Sequence, residues 1–252
     1  GAATARRLAT DGASLVLNDL DAAPLASFGD DLISTGADVV SVVGSTSDPA
    51  TARSVVDAAV EQFGTVDIVI NNAGTTRDRM FHEQSDDDLD VVLDANLRTA
   101  WQTTHAALSV IRPAAKAEIA ANGRVDHQRK IVFTSSVAAL TGNPGQANYT
   151  VAKGGLIALV KTLALELGPV GINVNAVAPG FIETRLTAEK SEGAPLGIPA
   201  EIRTSLREMI PLGRFGQPDD VANVTAFLVS PDSDYVSGVT VPVTGGQFGG
   251  MG

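Results

Sequence analysis

The chain is predicted to fold as a doubly wound α/β structure, a parallel sheet covered by helices on both faces. Short runs rich in valine and isoleucine alternate with longer amphipathic stretches from end to end. The runs are apolar on both faces, as strands buried between two helical layers must be. No repeat, low-complexity stretch or linker divides the 252 residues, so 1–252 read as one Rossmann-like domain.

A helix is expected over 2–11, leading into the strand SLVLND at 14–19. Helices over 21–35 and 49–63 flank the strand DVVSVVG at 38–44, and VDIVINNAG follows at 66–74. A long helical stretch, 85–121, opens on Asp86, Asp87 and Asp88, whose charges suit a helix N-terminus. The strand KIVFTSS at 130–136 and a helix over 147–168 come next, followed by the strand INVNAVAPG at 172–180. Residues 183–217 break the rhythm with proline and glycine and are expected to form a helical flap. A helix over 218–229 and the strand VTVPVTGG at 239–246 complete the pattern.

The net charge of −11 argues against nucleic acid or an anionic membrane surface as a partner. With no cysteine there is no disulfide framework, thiol nucleophile or cysteine-ligated zinc. The three histidines show no metal-ligand spacing, so no metal is expected. No run approaches the ~18 apolar residues of a membrane span, and the opening residues lack a signal pattern. A soluble, cytoplasmic protein is the expectation, and the triplets NYT and NVT are discounted as glycosylation sites.

In such a sheet, ligands bind beyond the carboxyl ends of the strands. Those ends read ND, GSTSD, NNAG, TSS and APGFIET, all small, polar or glycine-bearing, which suggests a ligand groove. Tyr149 and Lys153 lie four residues apart on a predicted helix and therefore share a face. A free phenol titrates near ~10, and a nearby ammonium favours its ionised form. Ser136, thirteen residues before Tyr149, ends the preceding strand and can reach the same groove. Two hydroxyls there would hold a substrate oxygen between them.

NNAG, the following Asn96, Ser136, YTVAK and PGFIET together resemble the short-chain dehydrogenase/reductase family over essentially the whole chain. GQANYTVAK, GINVNAVAPGFIET and PLGRFGQPDDVA are most similar to the 3-oxoacyl-[acyl-carrier-protein] reductases within it. The resemblance implies Tyr149 as proton donor to a carbonyl oxygen and Ser136 as its orienting hydroxyl. Lys153 would bind the nicotinamide ribose and depress the Tyr149 pKa, and Asn96 would hold a relay water. Asn72, Ala73 and Gly74 would line the adenosine side, and Pro179, Gly180, Ile182 and Thr184 would seat the carboxamide. Ser45 and Thr46 stand where many relatives carry Asp-Val beside the adenine, so that contact is altered. A homotetramer follows by the same analogy.

One part of the family pattern is missing, the first strand and its TGxxxGIG phosphate loop, of which Gly1 matches the last glycine. In the family that strand lies between the second and fourth, so the natural protein is expected to extend upstream, with a mass above the 25.9 kDa of these residues. A cofactor-free scaffold that has lost the loop is the alternative of a different class. Asp19, eighteen residues after Gly1, stands where a carboxylate meets the adenosine ribose and repels a 2′-phosphate. NAD(H) is therefore expected over NADP(H). The expected reaction interconverts a 3-oxoacyl thioester and its 3-hydroxyacyl form, with hydroxysteroids or other secondary alcohols as the alternative. Val170 replaces an arginine by which carrier-protein reductases dock their acidic partner, which favours coenzyme A over acyl carrier protein. Arg124, Arg129 and Lys130 are candidates for a compensating basic patch.

Overall fold

The computed structural model describes residues 1–184, 187–189 and 198–248. Every predicted strand is present: β1 (Leu15–Asp19), β2 (Val39–Val43), β3 (Ile68–Asn71), β4 (Arg129–Thr134), β5 (Ile172–Pro179) and β6 (Thr240–Val243). Every ladder is parallel. The expected single sheet is split in two, β1 beside β2 and β3-β4-β5-β6 in that order. The open edges include those of β1 and β3, the pair the family resemblance leaves without a neighbour. β1 was expected to be buried on both faces, yet its apolar residues are only half-buried, because it pairs with β2 alone.

The helices are α1 (Ala2–Thr10), α2 (Ala22–Ser34), α3 (Pro49–Phe63), α4 (Asp86–Leu93), α5 (Thr99–Asn122), α6 (Ala138–Thr141), α7 (Ala147–Leu167), α8 (Ala200–Glu208) and α9 (Pro218–Val229). Local chemistry sets their ends. Asp48 caps α3 by accepting from the Thr51 amide at 3.0 Å, and Gly64 closes it with φ 79°. Ser85 and Asp88 form a reciprocal capping box at the start of α4. The predicted helix over 85–121 is interrupted by one π-helical turn, Asp94–Arg98. Among the described residues no helix is long and apolar enough to cross a membrane.

The core lies around β4 and β5, where Ile131, Phe133, Val174 and Ala176 are fully buried. Helices α5 and α7 cover one face through Ile111, Leu156 and Val160, and α9 covers the other through Ala226 and Leu228. The flap expectation over 183–217 finds helix α8 within it, while residues 185–186 and 190–197 lie outside the described residues.

The basic patch needs correcting. Arg129 and Lys130 open β4, at the end opposite Ser136, and their side chains are buried. Arg129 makes a two-pronged ion pair with Glu118, at 2.6 and 3.2 Å, and Lys130 donates to Asp234 at 2.6 Å. They anchor the sheet and are not available to a partner; Arg124 alone of the three is exposed. The Arg129 hydrogen bonds, helped by the Asp126 amide, pull the Glu118 carboxyl down to about 2. That stabilisation is therefore fully present above the ordinary glutamate range and fades as pH falls towards 2. Glu118→Gln leaves the buried guanidinium only the Asp67 carboxylate at 3.8 Å and should cost on the order of 1–3 kcal/mol in denaturant unfolding, with turnover per folded molecule unchanged. Parental stability of the variant would show that the pair is worth nothing to the fold.

Candidate active site

The ends of β1 to β5, helix α7 and the π-helical turn between α4 and α5 build the site. β4 delivers Ser135 and Ser136 to the start of α7. Ser135, almost fully buried, donates to the Lys153 carbonyl at 2.9 Å and ties the strand to the helix. Ser136 accepts from the Ala138 amide at 3.2 Å, which turns its hydroxyl towards Tyr149. Burial pushes the Tyr149 phenol above its ordinary value; the Ser136 hydrogen bond works against that, and the Asp78 charge adds to it. This differs from the expectation that Lys153 depresses it. The Lys153 ammonium turns instead to the Thr134 carbonyl, at 2.8 Å, and lies 5.7 Å from the Tyr149 ring centroid. Its own burial lowers its pKa to about 8.

Asn96 sits in the π-helical turn and is fully buried. A wide turn of this kind rotates a side chain out of the helical register, and such turns recur at functional sites. Its amide nitrogen donates to the carbonyls of Thr75 and Val92, both at 2.8 Å, while Oδ1 has no partner among the described residues. Gly74 explains where that oxygen points. A Cβ on Gly74 would collide with Asn96 Oδ1 and stand 3.1 Å from Lys153 Nζ. An unpaired acceptor and a buried ammonium thus converge on one space that only glycine leaves open.

The other predicted contacts line the carboxyl ends of the strands. Asn72, Ala73 and Gly74 are exposed at the end of β3, and the Asn72 Oδ1 accepts from Thr134 at 3.3 Å. Gly1, at the start of α1, lies beside Asn72 and near Asp19, which joins the ends of β1 and β3. Asp19 is exposed, and its backbone carbonyl accepts from Gly44, next to Ser45. Ser45 bonds Ser47 at 2.9 Å and Thr46 is buried, so neither hydroxyl is simply displayed to the groove. Pro179 accepts from the Val137 amide and Gly180 donates to Val243. Ile182 is buried and bridges Gly216, and Thr184 bonds Thr187 through its amide at 3.0 Å.

The sequence matches the family described as Enoyl-(Acyl carrier protein) reductase over residues 1–247. It is also 35% identical over 246 residues to the 3-oxoacyl-[acyl-carrier-protein] reductase of Thermotoga maritima, covering 98% of this chain and 92% of that one. The chain belongs to the short-chain dehydrogenase/reductase family. The enzyme of the same name from Escherichia coli is 36% identical over 248 residues, covering 98% and 92%. That from Aquifex aeolicus is 44% identical over 185, covering 73% and 66%. As a member of the short-chain dehydrogenase/reductase family, the chain is an NAD(P)-dependent oxidoreductase, similar to 3-oxoacyl-[acyl-carrier-protein] reductases.

The residues present fit a nicotinamide dinucleotide. The unpaired Asn96 oxygen, the Lys153 ammonium and the exposed Asn72–Gly74 stretch offer donors and acceptors at the carboxyl ends of β3 and β4. Three participants were missed by sequence reasoning. Thr134 supplies its carbonyl, Asp78 its charge, and Asn148 a buried amide beside Tyr149. Thr134 opens the TSS strand end, and Asn148 opens the NYT triplet discounted as a glycosylation match, a possibility its burial closes.

Proposed function

We propose that the protein interconverts a 3-oxoacyl thioester and its 3-hydroxyacyl form with NAD(H), as a single dinucleotide-binding domain over 1–252 whose flap, about 183–217, shapes the substrate pocket. The convergence of Asn96, Lys153 and Gly74 behind the Ser136–Tyr149 pair supports this most directly. The nicotinamide, when bound, supplies hydride to the carbonyl carbon or takes it back. Tyr149 gives its phenolic proton to the carbonyl oxygen, and burial, by keeping that proton on at neutral pH, suits it to act as the acid. Ser136 donates a second hydrogen bond to the same oxygen and orients it. Lys153 holds the ribose hydroxyls, and the free Asn96 oxygen holds a water that returns a proton towards Lys153. Asn72, Ala73 and Gly74 line the adenosine side; Pro179, Gly180, Ile182 and Thr184 seat the carboxamide; Ser45 and Thr46 border the adenine. Acetoacetyl-CoA and longer 3-oxoacyl thioesters should turn over; a panel in which only hydroxysteroids react would overturn the reading.

Asp19 supports the preference for NAD(H). Its exposed carboxylate stands at the end of β1 near Gly1, where it accepts from ribose hydroxyls and repels a 2′-phosphate. The ratio of kcat/KM for NADH over NADPH should exceed ~10 and collapse towards unity in Asp19→Ala, since one close charge repulsion is worth at least a tenfold change. Equal or better kcat/KM with NADPH in the parent would contradict it.

The thioester carrier is coenzyme A rather than acyl carrier protein. Val170 packs against the core in the turn before β5, and Arg129 and Lys130 are consumed inside the sheet. One acyl chain presented on both carriers across a salt series tests this. A carrier-protein advantage that fades with salt would show a working basic dock and refute the assignment. The assembly is a homotetramer in the cytoplasm: Trp101 on α5 and Val151 and Leu165 on α7 are at least half exposed, as apolar residues awaiting a second copy are. Light scattering that returns the monomer mass would reject it.

A further inference from the structure

Asn148 is one residue from Tyr149 and 2% exposed, and every hydrogen-bonding position of its amide is filled. Its oxygen accepts from the Tyr149 backbone amide at 2.7 Å and from Gln84 at 3.4 Å. Its nitrogen donates to the carbonyls of Arg77 at 3.1 Å and Asp88 at 3.3 Å. These four partners fix the amide's orientation, because a flip would set donor against donor and acceptor against two carbonyls. The Tyr149 amide is one of the N-terminal donors that a helix cannot satisfy internally, so Asn148 holds down the very turn of α7 that carries the phenol.

The other three bonds reach across to the segment between β3 and the π-helical turn. Gln84 closes the same clasp from outside by donating to the carbonyls of Arg79 at 2.9 Å and Gly145 at 3.3 Å. The Arg79 amide donates to the Gly145 carbonyl, and Gln146 donates to Asp78, both at 2.9 Å. Asp88 lies in α4, which runs directly into the turn bearing Asn96. Tyr149 and Asn96 thus sit on two different arms of the fold, which pack together through Leu97 and Gly155, and Asn148 is the buried hydrogen-bonded link beside Tyr149.

We propose that Asn148 is a positioning residue: it sets the start of α7 against the 77–88 arm, so that the Tyr149 phenol and the Asn96 oxygen keep their relative placement. The proposal rests on Tyr149 as the proton donor. The charged groups around that phenol are Lys153 on its own helix and Asp78 on the arm, with Ser136 as the neutral partner from β4. Asp88 also lies on the arm, bound to Ser85 and 3.5 Å from Arg79.

The chain has two tyrosines, and the second, Tyr235, is fully exposed. In a Tyr235→Phe background the ultraviolet titration of Tyr149 is therefore read alone, without turnover. Asn148→Asp keeps the shape but turns the donor face into an acceptor opposite two carbonyls. It should lower kcat on the order of 10–100-fold, leave the NADH Kd near the parental value, and move the phenol titration upward. Asn148→Ala should lower kcat similarly and move the titration down, as water enters the loosened turn. If Asn148→Ala does not fold, Gln84→Met loosens the same clasp from its outer side and should shift the titration in the same sense. Parental kcat together with a parental titration in these variants would overturn the proposal. So would a fall in melting temperature with the phenol titration unmoved. Tyr149→Phe, run alongside, separates the two claims. Its retaining activity would sink the proton-donor reading, whereas the titration still decides what Asn148 does.

Discussion

Tyr149→Phe should lose at least ~100-fold in kcat while NADH still binds with near-parental affinity. The phenyl ring refills the same half-buried space against α7, so the helix start, the Lys153 ammonium and the strand ends keep their places. Only the transferable proton and one of the two hydrogen bonds to the substrate oxygen are removed. A loss confined to kcat, with cofactor affinity read separately by fluorescence titration, is the signature of an interaction made in the transition state. Retention of more than about a tenth of the activity would show that the proton comes from elsewhere.

Lys153→Met should damage turnover and cofactor binding together, and it should also change how stability depends on pH. Lys153 is a cation whose pKa falls from 10.5 to about 8 on folding, because burial disfavours its charge. Between those values the unfolded chain binds more protons than the folded one, so the stability of the parent rises with pH across that window. The variant lacks the group and gains nothing there. The gap in unfolding free energy should therefore move by on the order of 3 kcal/mol in the parent's favour between about pH 8 and about pH 10.5. Denaturant titrations at the two pH values measure it. Parallel stability profiles would mean that the ammonium is not desolvated in the fold.

Much of this was legible before any coordinates. The six strands announce themselves as valine- and isoleucine-rich runs, and the charges of Asp86, Asp87 and Asp88 mark the start of a helix. The i, i+4 spacing of Tyr149 and Lys153 needs only helix geometry. What was not legible depends on partners far away in sequence. Arg129 and Lys130 look like surface cations until Glu118 and Asp234 are brought beneath them. The π-helical turn is a backbone feature that a hydrophobic period does not register, yet it aims Asn96. The Tyr149 phenol was expected to be lowered by its lysine neighbour, but a carbonyl at the end of β4 captures that ammonium and burial sets the direction instead. Asn148 escaped notice because its four partners include carbonyls, which leave no mark on side-chain patterns.

β5 is paired on both sides and buried at seven of its eight positions. Amides in such a strand exchange with solvent only when the whole molecule opens. Pro179 ends β5, and its carbonyl holds the Val137 amide immediately after Ser136. The wall on which a substrate carbonyl would rest is therefore welded to the slowest-exchanging part of the molecule. In a hydrogen-exchange time course the β5 amides should be among the last to exchange, and β5 exchanging as fast as the exposed helix α8 would refute this.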